Sequence, residues 1–256
     1  MMKKNESYVR KLIEEGTRID GRSLEDFREI SVKTGVIETA EGSAEVNIGN
    51  TKVLVGVKME VKEPYPDSPN EGGFIVDAEF VPLASPDFEN GPPDEEAVEL
   101  ARVVDRGIRE SHAVDMEKLC IKEKESAWTV HIDIHVLDHD GNLIDAASLG
   151  ALAAILDTKM PKWDAENKKI IREFKGKLPV SEKPVEITVV KIGNKLLVDP
   201  TAEEEFALDA RLTVATLENG ELCAMQKGGD GYFTVTEIQQ AVELAIDKGK
   251  ELRKLL

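Results

Sequence analysis

The sequence predicts an α+β protein made of two similar halves, each a β-sheet with packed helices. Strand-like and helix-like stretches follow one another as strands, helix, strand and helix, and then again as strands and helix. A Gly-Asn hairpin signal at 49–50 recurs at 193–194 between similar apolar residues. With 256 residues, 41% hydrophobic and 32% charged, the chain is long enough for one large core or two coupled ones.

The first elements are predicted to be a short helix and several strands. Residues 5–15 have a helical pattern that ends at Gly16. Alternating apolar and polar residues, interrupted by two Pro-rich loops, then indicate half-buried strands. We expect these strands at 29–37, 44–48, 52–61 and 74–81.

Two helices and a long strand are predicted next. Asp94 begins a helix whose apolar residues recur at the 3.6-residue period of a helix packed on a sheet. A strand with one apolar and one polar face is expected at 128–136. Residues 146–157 are rich in Ala and Leu on all sides, which predicts a buried helix, and Pro161 is expected to end it. The inward residues of the helix that begins at Asp94 are Ala97, Leu100, Ala101, Val104 and Ile108.

The rest of the chain is predicted to form a charged connector, a second sheet and a last helix. Strands are expected at 185–190, 208–214 and 222–226. A capping box at 234–237 begins the last helix, which is expected to run to Leu256 with Ile238, Ala241, Val242, Ala245 and Leu252 inward. The predicted division of the chain is an N-terminal helix at 1–17, a first half at 18–160, a connector at 161–184 with a short strand at 170–174, and a second half at 185–256.

Composition argues against several classes of protein. The net charge of −17 disfavours a free-standing nucleic-acid binder, because Lys and Arg supply most non-specific affinity for phosphates. Cys120 and Cys223 are far apart and favour a reducing compartment over a disulfide framework. There is no apolar signal-peptide core and no apolar run of membrane-spanning length, so a soluble, cytoplasmic protein is expected. P-loop, G-x-G-x-x-G and nucleophile-elbow motifs do not occur.

A run of carboxylates between two predicted strands is the first candidate site. Loops at strand ends commonly present functional groups. Such a cluster suits a divalent metal or general acid–base chemistry, but a solvated acidic turn has the same composition. The acidic residues are Asp199, Glu203, Glu204, Glu205 and Asp209.

Three arginines on the first amphipathic helix are the second candidate site. Arg102, Arg106 and Arg109 are spaced i, i+4 and i+7, which suits binding to successive phosphates. Ordinary ion pairs of Glu99 with Arg102 and of Asp105 with Arg109 have the same spacing. Spacing alone favours the ion pairs.

His131, Asp133 and His135 are the third candidate site. They project to one side of a predicted strand, and imidazole and carboxylate groups ligate zinc or iron. Positions along one strand lie too far apart for all three to reach one ion comfortably. A polar sheet face or a subunit contact is therefore expected, without a metal.

Several short motifs, found in order along the chain, resemble the RNase PH family. They are Arg18–Arg22, Glu41–Ala44, Gly91–Glu95, Ala101–Arg106 and Val198–Glu205. The resemblance extends from Arg18 to the C-terminus and is greatest to the non-catalytic subunit of the archaeal exosome. It implies the RNase PH-type fold of two related halves, of which the first is like domain 2 of ribosomal protein S5.

The resemblance implies that this chain belongs to a phosphorolytic complex but does not itself catalyse phosphorolysis. In that reaction inorganic phosphate attacks the 3′ end of RNA and releases a nucleoside diphosphate. Catalytic relatives hold the phosphate where a buried helix begins, with backbone N–H groups and an arginine. The matching stretch, Asp140–Asp145, lacks the arginine, and the charge of Asp145 is expected to repel an anion.

The acidic cluster also departs from the catalytic pattern that the resemblance implies. Catalytic relatives carry a Tyr-x-Glu-Asp-like element with another Asp six residues later. Aligning that Asp with Asp209 puts Glu203 at the first acidic position and Pro200 in place of the tyrosine. A misplacement of about 1 Å can cost roughly a hundredfold in rate. We therefore expect no catalytic residues, and a degenerate remnant at Glu203 and Asp209.

The implied assembly gives the arginine helix a role. In the non-catalytic subunit the matching arginines face the RNA path, so Arg102 and Arg106 are the expected RNA contacts, with Arg109 as a third candidate. The implied partners are a catalytic RNase PH-like subunit in a ring of three heterodimers, RNA-binding cap proteins, and RNA. Neither a cofactor nor a membrane is implied. One alternative is an active phosphorolytic exoribonuclease that uses Asp209 and Glu203, and another is an acidic metal-binding module that uses the two histidines.

Overall fold

The structure is a computed structural model and describes residues 5–256. Its helices are α1 (Glu6–Glu14), α2 (Glu95–Glu110), α3 (Leu143–Asp157), α4 (Ala202–Glu205) and α5 (Val235–Arg253). Its strands are β1 (Ile30–Thr34), β2 (Gly42–Ile48), β3 (Thr51–Lys62), β4 (Gly73–Phe80), β5 (Cys120–Lys122), β6 (Ser126–Asp138), β7 (Lys159–Asp164), β8 (Lys169–Lys177), β9 (Val185–Ile192), β10 (Lys195–Val198), β11 (Ala210–Thr216) and β12 (Leu222–Gly228).

The first sheet is built from strands of the N-terminal half. Its order is β1-β2-β3-β6-β4, and β5 pairs with part of β6. The pairs are antiparallel except that β4 runs parallel to β6. The predicted hairpin joins β2 to β3, and its Gly49 has a φ of 56°, a left-handed conformation that glycine adopts without strain. Alternate residues along most of β3 are buried, so one face of the sheet packs into the core.

The second sheet has the order β10-β9-β11-β12 and is antiparallel throughout. Every residue of β9 is buried, because helices cover both of its faces. Glu186 of β9 lies against Gly107 of α2. Lys191, which projects to the other face, forms an ion pair with Glu237 of α5.

Helices α2 and α3 fill the space between the two sheets. The predicted apolar face of α2 is buried, and the Asp94 side chain accepts a hydrogen bond from Ala97 N at its start, as the sequence predicted. The sequence also predicted that α3 is buried, and every residue of this helix from Asp145 to Ile155 is buried. This helix packs against β2 and β3 on one side and β9 on the other.

The prediction for the region around α3 was wrong in two respects. The helix begins at Leu143 rather than at 146, directly after Asn142 in the left-handed region with a φ of 58°. It ends at Asp157 without the help of Pro161, which lies within β7. Among the described residues β7 pairs only with β8, and a strand paired on one side tolerates proline.

Two other segments also differ from the prediction. Most of the predicted connector is the β7–β8 hairpin, whose second strand is longer than the strand expected at 170–174. The predicted capping box does begin α5, but that helix ends at Arg253, and Ile238 is 36% exposed rather than inward. Both cysteines are free and half-buried. Within residues 5–256, no helix has the length and apolar character needed to cross a membrane.

Candidate functional site

A cavity of about 530 Å³ lies where the two halves of the chain meet. It is enclosed by the end of β4, α2, the start of α3, β9 and the segment 202–211. Phe80, Phe88 and His139 stack along one wall, with ring centroids 4.6 and 5.4 Å apart. The charged residues of the lining are Asp87, Glu96, Glu99, Glu205 and Arg211. Carboxylates therefore outnumber basic groups in the wall of this cavity.

The start of α3 is already capped by an acidic side chain. The backbone N–H of Asn142, at the N-cap of α3, donates a hydrogen bond to Glu205 Oε1 at 2.8 Å. Backbone N–H groups at a helix start favour a negative charge, so the Glu205 carboxyl occupies a position suited to an anion. Burial raises the pKa of Glu205 to about 7.

Arg211 of β11 brings a positive charge to the opposite side of the same cavity. Its Nη2 lies 2.6 Å from Glu99 Oε2 of α2. The guanidinium also lies close to Gly228 of β12, where an added Cβ would be only 2.6 Å from Arg211 Nε. Because Glu99 pairs with Arg211, the ion pair between Glu99 and Arg102 that helical spacing favoured does not form.

Two members of the acidic cluster are buried and engaged by arginines. Asp199 accepts hydrogen bonds from the side chains of Arg22 and Arg28, at 2.7 Å in each case. Although burial acts to raise the pKa of Asp199, the bonds and charge of Arg28 hold it below its ordinary value. Glu204 accepts from Arg18 Nε at 2.9 Å. These two carboxylates hold the segment after β10 against the N-terminal part of the chain.

The two residues predicted as a catalytic remnant, Glu203 and Asp209, do not line the cavity. Asp209 instead binds α1, through Arg10 Nη2 at 2.9 Å, and accepts from Gly193 N at 2.7 Å. Glu205 and Arg211 do line the cavity, and they are six residues apart, as Glu203 and Asp209 are. The sequence did not single out Glu205 and Arg211, because the expected pair has a carboxylate at its second position and residue 211 is an arginine.

The structure also corrects the role expected of Asp145. Its side chain is fully buried, and its Oδ1 accepts a hydrogen bond from Thr188 N of β9 at 2.8 Å. Burial raises the pKa of Asp145 to about 7. The carboxyl that accepts from the backbone at the start of α3 is that of Glu205, not that of Asp145.

The three arginines of α2 have different surroundings. Arg102 and Arg106 are exposed and, with Gln226 of β12, line a groove of about 330 Å³. Within residues 5–256 neither has an ion-pair partner. Arg109 is tied to the protein: it pairs with Asp105 at 2.6 Å, donates to Phe74 O at 3.1 Å and lies over the Phe74 ring.

The two histidines of β6 lie on the polar face of the first sheet, together with Asp133. His131 Nε2 is 3.4 Å from Glu60 Oε2, and His135 Nδ1 is 3.3 Å from Glu79 Oε2. No grouping of three or more His, Cys, Asp or Glu residues suited to a metal ion occurs in the described part of the chain. The acidic cluster and the histidine row are thus without a metal-binding geometry there.

Comparisons with known proteins place this chain in a family. Residues 26–161 match the RNase PH model of the 3′ exoribonuclease family, domain 1, and residues 183–248 match domain 2. Exosome complex component Rrp42 of Methanopyrus kandleri is 52% identical over 244 residues, covering 94% of this chain and 91% of that protein. Exosome complex component Rrp42 of Pyrococcus furiosus is 52% identical over 252 residues, covering 97% and 91%.

Solved structures give the same result for the fold. A chain of the Archaeoglobus fulgidus exosome with RNA bound to the active site has a TM-score of 0.92 and 47% identity, and the match covers 99% of this chain and 98% of that one. A chain of an archaeal exosome core has a TM-score of 0.88 and 43% identity, with 99% and 96% covered. Both domain models, the relatives and the structures agree, and the chain belongs to the RNase PH family of 3′ exoribonucleases.

Proposed function

We propose that this chain is a non-catalytic subunit of an archaeal exosome ring, a phosphate-dependent 3′-to-5′ exoribonuclease complex. In this ring it alternates with a catalytic RNase PH-like subunit as three heterodimers, beneath RNA-binding cap proteins, in the cytoplasm. Its roles are to shape the partner's active site and to contact RNA. The identity of about 50% to exosome components over nearly the full chain supports the assembly.

The hydrogen bond between Asn142 N and Glu205 Oε1 carries the non-catalytic part of this proposal. A phosphorolytic subunit needs an anion site at the start of α3, and here a carboxyl of the chain itself occupies that position. A phosphate would have to displace Glu205 from its hydrogen bond and, where that carboxyl is ionised, would also face its negative charge. No arginine of the stretch 140–145 offers compensation.

The charge at β11 supports the same conclusion. We propose that the remnant of the catalytic acid pair is Glu205 and Arg211, shifted by two residues from Glu203 and Asp209. In this register Glu204 and Glu205 match the Glu-Asp of the catalytic element, Ala202 replaces its tyrosine and Arg211 replaces its later Asp. A guanidinium cannot act as a general base or ligate a cation, so this replacement removes the chemistry of the position.

The exposed arginines of α2 supply the proposed RNA contact. Arg102 and Arg106 are four residues apart on one helical face, and the nearby acids Glu99 and Asp105 are engaged by Arg211 and Arg109. Their guanidinium groups therefore remain available for phosphates. Such contacts hold the RNA backbone without reading its sequence.

Reconstitution tests this proposal. The chain should form a stable complex of equal stoichiometry with a catalytic RNase PH-like subunit, measured by native mass spectrometry and size-exclusion chromatography. That complex should shorten RNA from its 3′ end only when inorganic phosphate is present. Failure to form any complex with a catalytic paralogue from the same organism would contradict the assembly role.

A further inference from the structure

Two carboxyl groups are buried at the joint between the halves of the chain. Asp145 lies in the first turn of α3, and Glu186 lies on β9 of the second sheet. Their exposed fractions are 0% and 3%. Neither forms an ion pair with a basic group of residues 5–256. A buried acid without a basic partner is costly to ionise.

The Asn142 amide, directly before α3, is engaged by Asp199. Asn142 Nδ2 donates to Asp199 Oδ1 at 2.9 Å. Asp199 is held ionised by Arg22 and Arg28, so its oxygens require donors and the amide cannot be turned around. The Asn142 amide acts to lower the pKa of Asp145, but burial outweighs this effect. Because Nδ2 is turned toward Asp199, Asn142 Oδ1 is left as a buried acceptor with no hydrogen bond from the protein.

This arrangement leaves two buried acceptors without a donor. Asp145 Oδ1 already accepts from Thr188 N, whereas Asp145 Oδ2 and Asn142 Oδ1 receive no hydrogen bond from the protein. A proton on Asp145 Oδ2 removes the cost of an unpaired buried charge, and the neutral acid still accepts from Thr188 N through Oδ1. We propose that Asp145 is a neutral carboxylic acid in the folded protein and that, in this state, its hydrogen bond from Thr188 N fastens α3 to β9.

Glu186 reinforces the same state from the other side of the joint. Its Oε1 lies against Gly107 of α2, where any added Cβ would be 2.1 Å away, and its Oε2 receives no donor. Burial raises the pKa of Glu186 well above its ordinary value, and a charge on Asp145 raises it further. Burial likewise raises the pKa of Asp145 to about 7.

The other ionisable groups that face this pair do not favour its ionisation. The charge of Asp199 adds to the rise in the Asp145 pKa. The thiol of Cys223 on β12 lies 4.0 Å from Gly107 O, beside Glu186, and is itself made less acidic by burial and by Glu186. At this joint Asp145 and Glu186 are therefore neutralised by protonation rather than by salt bridges.

A pH dependence of stability follows, and its sign is opposite to that of a salt-bridged acid. In the unfolded chain Asp145 loses its proton near pH 3.8, but in the folded protein it does so near pH 7. Between these values the folded state holds one more proton, so stability falls as pH rises. The unfolding constant should increase by up to about tenfold per pH unit from this residue alone.

The substitution Asp145→Asn tests the proposal because its amide mimics the neutral acid. The amide oxygen of the new side chain still accepts from Thr188 N, and its uncharged Nδ2 takes the place of the protonated oxygen. The full-length variant should fold, should match the wild type near pH 4, and should be more resistant to urea at pH 8. Between pH 4 and 7, its log unfolding constant should rise less steeply by about one unit per pH unit. The exposed control Asp230→Asn should change neither quantity.

Carbon NMR of the wild-type side-chain carboxyls provides a second measurement that does not depend on the variant. The Asp145 resonance should titrate near neutral pH and be absent from Asp145→Asn. A resonance that is already ionised at pH 5 would overturn the proposal. An Asp145→Asn variant that fails to fold would also overturn the proposal. So would a variant that is less resistant to urea than the wild type at pH 8 while Asp230→Asn is not. Either result would mean that Asp145 acts as an ionised carboxylate, which an amide cannot replace.

Discussion

Arg211 of β11 and Glu99 of α2 form an ion pair with an N···O distance of 2.6 Å across the cavity between the two halves. This pair has two effects. It places a guanidinium at the position where the proposed register puts a catalytic acid, and it removes the acid that would otherwise neutralise Arg102 on the next helical turn. This ion pair thus links the absence of an acid at position 211 to the availability of Arg102 on α2.

The double substitution Arg102→Glu and Arg106→Glu should weaken RNA binding by the reconstituted ring. The buried face of α2 is untouched, so the ring should assemble normally. The salt dependence of RNA affinity should become shallower by roughly one unit of slope for each phosphate contact removed. Fluorescence anisotropy at several salt concentrations measures both quantities.

The matched control for that experiment is Lys169→Glu with Lys175→Glu on the β7–β8 hairpin. It makes the same change in net charge at two exposed residues away from α2. Its salt slope should equal that of the wild-type ring. An arginine variant with unaltered affinity and slope would leave this chain a purely architectural role.

Arg109→Gln should affect stability rather than RNA. This side chain is paired with Asp105 and lies over the Phe74 ring at 5.4 Å. A half-exposed ion pair and a cation–π contact together are worth about 1 kcal/mol, so the free energy of unfolding should fall by about that amount. The RNA affinity of the variant should equal that of the wild type. A large loss of RNA binding without a loss of stability would instead place Arg109 in the RNA path.

Arg18→Ala should be far more destabilising than Arg10→Ala. Arg18 is buried, binds Glu204, and donates to Val198 O at 2.9 Å, so its removal leaves a buried carboxylate without a partner. Losing one member of a buried pair costs about 3–5 kcal/mol, whereas the half-exposed pair of Arg10 with Asp209 should cost about 1 kcal/mol or less. Urea unfolding of both variants measures the difference, and equal losses would refute it.

Acid should weaken the contacts around Asp199. Its pKa in the folded protein lies below the ordinary value of 3.8, so its stabilising effect is present above pH 3.8 and is lost as pH falls through the lower, folded value. Asp199→Asn should therefore lower stability at neutral pH and lessen the further loss below about pH 4. Acid titrations of both proteins followed by circular dichroism test this. A variant that keeps the full acid transition would show that other carboxyls control it.

Periodic patterns predicted much of the fold. The apolar face of α2, the buried helix α3 and the capping box at Thr234 each depend on residues within a few positions of one another. The order of the elements predicted two similar halves, and the RNase PH resemblance, confirmed by both domain matches, implied the same fold. Of the β7–β8 hairpin only part of β8 was predicted, because exposed, charged strands lack the apolar alternation on which strand prediction depends.

The contents of the cavity were less predictable, because they depend on contacts between distant residues. Spacing pairs Glu99 with Arg102, but the structure pairs it with Arg211, which is 112 positions away. Sequence alignment put the acidic remnant at Glu203 and Asp209, but in the structure Glu205 and Arg211 line the cavity while Asp209 faces Arg10 on α1. The burial of Asp145 likewise depends on β9 lying across the start of α3.

The decisive measurement of the non-catalytic role is the release of nucleoside diphosphates from RNA by the purified chain alone, with inorganic phosphate and with or without Mg²⁺. We expect no release above background, because Glu205 accepts the hydrogen bond at the start of α3 and, in the proposed register, Arg211 stands in place of an acid. The same preparation should support phosphate-dependent shortening once the catalytic subunit is added. Robust phosphate-dependent release by the chain alone, abolished by Glu205→Gln or by Asp209→Asn, would contradict the non-catalytic role.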